Sequence, residues 1–192
     1  NRRYHLVVIA KNEVGLANLF TLVKRSFAEG FFRFPRIDFE MLKQHGEGLV
    51  VSTACVGGYP SGLIYDEFAG LKFDQLHPSL VDDPAIMSKC VGKIENACDM
   101  FIDAVGRENF FLETQFHAMN AQDLTNRVII EASKKTGIPM VATADSHFPG
   151  PDLWEAREVY RLLMPGRIKD DGTGPKVPLE HELKAKLYPK NA

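Results

Sequence analysis

Polar side chains that could bind a metal ion stand at the end of a predicted strand in the last third of the chain. The segment VATADSHF, residues 141–148, is apolar or small at first and then offers Asp145 and His147. Side chains two residues apart on an extended strand face the same way, so the carboxylate and the imidazole can converge on one point. This pairing suits a divalent metal. The structural alternative is a helix-capping aspartate beside a solvated histidine.

Two other predicted strands also end in polar side chains. The strand at 48–55 carries Ser52, Thr53 and Cys55, and the strand at 109–116 leads through Glu113 and Gln115 to His117. In parallel α/β folds the chemistry collects beyond the carboxyl ends of the strands, so these groups are candidates to line one mouth. These residues also have structural interpretations that involve no metal or catalysis. Cys55 could pack as a small residue against a tight turn, and Glu113 could be a surface carboxylate on a half-exposed strand.

Apolar segments and helical patterns alternate along the chain. Strands are predicted at 5–10, 48–55, 109–116 and 138–147. Between and after them come helical patterns, the longest at 85–105, another from an N-cap at Asn120 to a stop at Gly137, and a last one at 153–163. Apolar strands separated by helices predict an α/β fold with mostly parallel strands covered by helices.

Composition excludes several classes of protein. The formal net charge of −2 does not suit a generally basic nucleic-acid binder, and no apolar run approaches the roughly 20 residues of a membrane helix. Three cysteines at irregular spacing do not form a disulfide framework, which favours a reducing, cytoplasmic setting. After Pro165 the chain becomes rich in Gly, Pro and Lys, which predicts a linker or the start of another region.

Several motifs in order resemble a known family. They are H-L-V-V-I-A-K-N at 5–12, G-F-F-R-F-P-R-I-D at 30–38, S-T-A-C-V-G-G at 52–58, F-F-L-E-T-Q-F-H at 110–117 and T-A-D-S-H at 143–147. Together they resemble the PHP (polymerase and histidinol phosphatase) domain of bacterial DNA polymerase III alpha subunits. The resemblance runs from His5 to about residue 163. It is loose between residues 65 and 106.

The resemblance implies part of a distorted (β/α) barrel with a metal cluster at its mouth. The family's ligands match four residues here, His5, Cys55, Asp145 and His147, while His117 and Glu113 are possible mouth-lining residues. Imidazole, carboxylate and thiolate together form a borderline-soft ligand set. That set suits zinc best, with manganese or iron also open.

The family pattern also includes an H-x-H motif, an acidic–histidine pair and a glutamate upstream of the H-L strand. Only residues 1–4 precede His5 here. The expectation is therefore an internal segment of a longer polypeptide, with a PHP domain at 1–166 that is incomplete at its amino end. Residues 167–192 would be a linker or the start of the region leading to the polymerase palm. Such a segment is expected to be inactive alone and to leave an open strand edge.

The implied parent is a DNA-directed DNA polymerase, a nucleotidyltransferase of DNA replication. The domain would carry metal-assisted 3′–5′ phosphodiester hydrolysis of the proofreading type, or else a structural and docking role. A stand-alone phosphoesterase, such as a histidinol-phosphate-type phosphatase, is the alternative. Implied partners are the rest of the alpha chain, primer-template DNA and other replisome subunits such as a proofreading exonuclease or the sliding clamp, with no membrane.

Overall fold

The computed structural model describes residues 2–116 and 119–162. Strands and helices alternate as predicted: β1 Val7–Ala10, α1 Glu13–Ala28, α2 Phe39–Gln44, β2 Leu49–Ser52, α3 Tyr59–Tyr65, α4 Pro84–Val105, β3 Phe110–Gln115, α5 Asn120–Thr136, β4 Met140–Thr143 and α6 Trp154–Leu162. Short 3₁₀ turns fill much of the segment between α3 and α4, where the family resemblance is loose. His117 and the predicted boundary at residue 166 lie outside the described residues.

The chain divides into two compact units. Among the described residues, the larger contains 2–115 and 119–142, and the smaller contains 116 and 143–162. The larger unit holds β1 to β3, α1 to α5 and most of β4, whereas the smaller holds the turn after β4 and α6. The part of the chain that the structure describes contains no helix long and apolar enough to cross a membrane.

The four strands form one sheet in the order β1-β2-β3-β4. Strands β2 and β3 are parallel, as predicted, but β1 and β2 are antiparallel, with Val7 opposite Ser52 and Ala10 opposite Leu49. Parallel pairing is therefore wrong for the first strand. Helices α1 and α2 lie between β1 and β2 in sequence. After them, the chain begins β2 beside the last residue of β1. There the Lys11 amide donates to the Gly48 carbonyl at 3.0 Å.

The start of α1 lies directly against the entry to β2. Asn12 caps the helix by accepting a hydrogen bond from the Gly15 amide at 2.8 Å. A Cβ atom at Gly15 would lie 1.9 Å from the Gly48 carbonyl oxygen, and Gly48 itself has a φ of +73°. Only glycine allows both the close approach and the left-handed backbone at this contact.

The core of the larger unit lies between the sheet and α4. Apolar residues at helical spacing form a buried stripe on α4 that includes Ile94, Cys98 and Phe101, and Phe101 stacks on Phe110 of β3 with ring centroids 5.0 Å apart. Cys90 and Cys98 are buried free thiols. Burial raises the pKa of the Cys98 thiol to about 12, so it behaves as a protonated core residue.

Two helix ends test the predicted caps. Gly137 has a left-handed φ of +68° and ends α5, as predicted. Asn120 is wrong as an N-cap. It is already the first helical residue, and extended Met119 precedes the helix without capping it through a side chain.

Candidate metal centre

His5 and Cys55, 50 residues apart in sequence, lie side by side in the larger unit. The His5 Nδ1 atom is 3.4 Å from Cys55 Sγ. The His5 amide donates to the Gly57 carbonyl at 2.8 Å, and His5 forms an isolated parallel bridge with Gly58. Strand β1 begins only at Val7, so His5 precedes the strand that was predicted to contain it. Backbone pairing with the turn after β2 holds the imidazole beside the thiol.

The turn that carries Cys55 is constrained by several hydrogen bonds. The Cys55 carbonyl accepts from the Gly58 amide at 2.7 Å and from the Ser61 hydroxyl at 2.9 Å. Its sulfur accepts from the Gly57 amide at 3.4 Å. Ala54, just before it, has a φ of +60°, a left-handed conformation that costs a residue with a side chain roughly 1–2 kcal/mol. Packing and hydrogen bonding therefore maintain the backbone conformation that places the Cys55 thiol beside His5.

Tyr65 supports this turn from the end of α3. Its hydroxyl lies 3.0 Å from Thr125 Oγ1 and 3.1 Å from the Ala121 carbonyl, which it contacts as a donor. Burial raises the pKa of Tyr65 to about 12, so the hydroxyl stays neutral and keeps its proton to donate. Helix α3 is thereby fixed to α5 on one side while Ser61 holds the Cys55 carbonyl on the other.

The ends of β2 and β3 share a buried polar cluster, which we call the strand-end cluster: Ser52, Thr53, Glu113 and Gln115. The Glu113 carboxylate accepts hydrogen bonds from the Ser52 hydroxyl and, at 2.9 Å, from the side-chain amide of Gln115. The backbone amide of Glu113 donates to Thr53 Oγ1 at 2.8 Å. Only 3% of Glu113 is exposed, so its interpretation as a surface carboxylate is wrong. The expected convergence of Glu113 and Gln115 on one side is confirmed.

Helix α5 completes this cluster from beneath. The Asn126 side chain makes two hydrogen bonds to the backbone of Gln115. It accepts from the Gln115 backbone amide at 3.2 Å and donates to the Gln115 backbone carbonyl at 2.8 Å. Gln122 in turn donates to Asn126 at 2.8 Å. Sequence reasoning missed Asn126. The available signal was its place among the apolar residues of the buried face of α5.

Asp145 and His147 lie in the smaller unit, in a turn rather than on a strand. Strand β4 ends at Thr143 and Asp145 has a φ of +47°, so the prediction that strand alternation aligns the two side chains is wrong. Instead His147 Nδ1 lies 2.6 Å from the backbone carbonyl oxygen of Asp145. Phe148, the next residue, is buried, and its ring centroid lies 5.5 Å from that of Trp154.

Within the described part of either unit, no three side chains of the His, Cys, Asp and Glu types come together as a ready metal site. His5 and Cys55 form a pair in the larger unit. Asp145 and His147 form a second pair in the smaller one.

Known proteins are similar to this chain over most of its length. A family model described as "PHP domain" matches residues 1–117. The DNA polymerase III subunit alpha of Borreliella burgdorferi is 30% identical over 169 residues, covering 88% of this chain and 13% of the relative. The subunits of Aquifex aeolicus and Thermus aquaticus are 33% and 30% identical over 166 and 169 residues. This chain spans about 12–13% of the length of these curated relatives.

Proposed function

Because this chain belongs to the PHP domain family, we propose that it contributes to a divalent-metal site for phosphodiester hydrolysis in a bacterial DNA polymerase III alpha subunit. The observation that carries the proposal is the approach of His5 Nδ1 to Cys55 Sγ at 3.4 Å. Asp145 and His147 supply the carboxylate and second imidazole of the proposed ligand set. Zinc is the metal that this set suits best, with manganese and iron as the other candidates.

The His5–Cys55 pair fits such an ion. Zinc bonds of about 2.1 Å to nitrogen and about 2.3 Å to sulfur, at a tetrahedral angle, place the two ligand atoms roughly 3.5 Å apart. The observed separation of 3.4 Å is close to that spacing. The Gly57 amide that donates to the Cys55 sulfur would also favour a thiolate, which is the form that binds metal.

Each residue has a defined task in this proposal. His5 and Cys55 hold the ion from the larger unit, and the turn around Ala54 keeps the sulfur aimed at the imidazole. Glu113 and His117 are proposed to line the mouth. A bound divalent ion would lower the pKa of a coordinated water and neutralise charge on phosphoryl oxygens.

The relatives' names support the setting. In a polymerase alpha subunit, hydrolysis beside this site would remove nucleotides from a 3′ end, which is proofreading. We propose that the domain extends to residue 166, that residues 167–192 lead towards the rest of the polymerase, and that the whole domain closes as a distorted (β/α) barrel. Its partners would be the rest of the alpha chain, primer-template DNA and other replisome subunits.

Cobalt substitution tests the metal site directly. We expect the chain, stripped of metal with EDTA, to bind Co²⁺ with a thiolate-to-metal charge-transfer band in the near ultraviolet. The band should disappear in Cys55→Ala and weaken in His5→Ala. It should persist in Cys90→Ala and His77→Ala, which remove a core thiol and an exposed imidazole. A band that survives in Cys55→Ala would contradict the assignment.

The hydrolytic role needs a separate assay. In the polymerase alpha subunit that carries this segment, we expect Cys55→Ala to abolish metal-dependent trimming of a single-stranded 3′ end and to leave primer extension intact. If Co²⁺ binds through Cys55 but trimming is unchanged in the variant, the metal has a structural role and the catalytic part of the proposal fails.

A further inference from the structure

A cleft of about 760 Å³ opens in the larger unit between β1, α1 and α2. This volume falls within the range of about 300–1,000 Å³ that is usual for ligand sites. Its floor is apolar, with side chains of Leu6, Val8, Leu19, Leu22 and Leu42. Arg2, Arg3, Arg36 and His5 also line it, together with Asp38, whose carboxylate caps α2, so positive charge predominates around a largely apolar depression.

One wall of the cleft comes from the segment that connects α1 to α2, in which Phe34, Pro35 and Arg36 line the cleft and residues 31–33 directly precede them in sequence. We call residues 31–36 the Arg–Phe loop: Phe31, Phe32, Arg33, Phe34, Pro35 and Arg36. Its phenylalanines are at least half exposed, at 56% for Phe31, 59% for Phe32 and 50% for Phe34. Three neighbouring aromatic side chains left in water offer flat apolar faces to a ligand.

The loop is held in one shape. The Phe32 amide donates to the Phe34 carbonyl at 3.1 Å, and Arg33 between them has a φ of +64°. At Gly30, a Cβ atom would lie 1.9 Å from the Arg36 carbonyl oxygen, so the loop closes tightly on its own start. A strained, non-glycine backbone of this kind justifies a hypothesis of function.

Arginines surround the rings. The Arg3 guanidinium lies 3.7 Å from the centroid of the Phe34 ring, and those of Arg36 and Arg33 lie 5.3 and 5.9 Å from that of Phe32. Among residues 2–116 and 119–162, none of these three arginines forms an ion pair with a carboxylate, whereas Arg2 pairs with Asp66. In a chain of net charge −2 they form a local excess of positive charge.

We propose that the Arg–Phe loop and its cleft bind a single-stranded nucleic acid. Guanidinium groups donate hydrogen bonds to phosphate oxygens, and exposed aromatic rings stack with bases that are not paired. Paired bases in a duplex are stacked on one another and cannot cover the rings, so the phenylalanines select a single strand. An apolar protein segment would fill the floor but would leave the three arginines without counter-charge.

His5 connects this inference to the proposed function. Only the direction in which the bound strand runs rests on that proposal. His5 lines the same cleft and faces Cys55, so a strand held by the Arg–Phe loop would run towards the proposed metal site. Binding itself needs only the arginines and the rings. It can therefore be tested without metal.

Fluorescence anisotropy of a labelled thymidine oligonucleotide measures this binding in EDTA. Three phosphate contacts on a single strand predict a log–log salt slope of about −2, or roughly a twentyfold loss of affinity between 50 and 200 mM salt. Arg33→Gly keeps the left-handed backbone, and it should make the slope shallower by about 0.7. A duplex of equal length should bind more weakly than the single strand.

Phe32→Leu removes a stacking face and should lower affinity about tenfold with the salt slope unchanged. The matched control is Phe20→Leu, which alters a phenylalanine of α1 that is 65% exposed and lies outside both the Arg–Phe loop and the cleft. Circular dichroism verifies that each variant is folded. If a variant unfolds, its binding measurement is replaced by ultraviolet crosslinking of the bound oligonucleotide to the unsubstituted chain. Crosslinks should map to residues 31–36.

Four results would overturn the inference: a folded chain that does not bind at low salt, equal losses in Phe32→Leu and Phe20→Leu, crosslinks confined to segments outside the Arg–Phe loop and the cleft, or preference for the duplex. Because EDTA is present throughout, failure here leaves the metal proposal standing. Loss of the cobalt band in the earlier experiment likewise leaves this one standing.

Discussion

The two pairs of proposed ligands are positioned by different kinds of contact. His5 and Cys55 are 50 residues apart in sequence and meet because a turn pairs with the segment before β1 and rests on α3, α5 and the sheet. Asp145 and His147 are two residues apart and share one local contact in a turn, where His147 is exposed. The first pair is joined by contacts between segments distant in sequence, whereas the contact within the second pair is local.

This contrast indicates where the chain is rigid. The turn around Cys55 and the strand-end cluster combine buried hydrogen bonds from several segments, so a change in one part affects the others. In the turn after β4, Ser146 and His147 are exposed, and exposed side chains usually tolerate substitution well. Its residues can then be selected for chemistry with little cost to folding.

Hydrogen exchange should show the largest difference between the two regions. The backbone amides of Glu113 and Gln115 donate to the buried side chains of Thr53 and Asn126. We expect these two amides to exchange at least about 1,000-fold more slowly than those of Ser146 and His147, because opening them requires disruption of the core. Exchange monitored by NMR measures this ratio. Comparable rates in both regions would remove the contrast.

A substitution at Gly58 should destabilise the turn around Cys55. Its φ of −71° suits any residue, but an added Cβ atom would lie 2.1 Å from the Thr53 carbonyl oxygen. We expect Gly58→Ala to lower the free energy of unfolding by about 1–3 kcal/mol, because two backbone segments must separate.

Gly92 offers the matched control, since a Cβ atom there meets no heavy atom within 4 Å. Within helix α4, Gly92→Ala should raise stability by about 0.8–1 kcal/mol through helix propensity alone. Urea denaturation followed by circular dichroism measures both changes. Equal effects at the two glycines would show that the Cys55 turn is looser than its contacts indicate.

Removal of one hydroxyl should weaken the strand-end cluster. Ser52→Ala takes a donor from the buried carboxylate of Glu113, and an unsatisfied buried group costs about 1–3 kcal/mol. Ser146→Ala removes an exposed hydroxyl from the other region and should change stability by no more than about 0.5 kcal/mol. The difference between the two serine variants in urea denaturation is the quantity of interest, and the idea fails if it is zero.

The smallest effect is expected at His147. Because the imidazole is exposed and contacts the backbone of nearby Asp145, His147→Ala should change the stability of the metal-free chain by less than about 0.5 kcal/mol. The same variant should reduce the increase in melting temperature that zinc produces, if His147 is a ligand. A thermal melt with and without zinc separates the two outcomes. A large loss of stability without metal would mean that the turn after β4 is a structural element.

The strands, the helices and most of the core could be predicted from sequence because hydrophobic periodicity reports burial directly. The α4 stripe and the stop at Gly137 are local signals of this kind. The direction of β1 could not be predicted in this way. Strand direction depends on how two helices return the chain to Gly48, and no periodicity encodes that path.

The site could be predicted only in part. Cys55 and His5 were named through family resemblance, and spacing alone would not have selected His5. The burial of Glu113 escaped prediction because a carboxylate is costly to bury unless Ser52 and Gln115 satisfy it, and such partners become apparent only in three dimensions. The left-handed backbone of Asp145, which ends the alternation expected of a strand, likewise became apparent only in three dimensions.

The contact between Gly15 and Gly48 restricts how the sequence can change over evolutionary time. A Cβ atom at Gly15 would meet the backbone of residue 48, and one at Gly48 would meet the backbone of residue 15 at 2.4 Å. Each collision involves main-chain atoms, which are the same in every amino acid. A substitution at one position therefore cannot be rescued by a second substitution at the other. The two glycines should be retained independently in descendants of this chain, without the covariation that contacting side chains show.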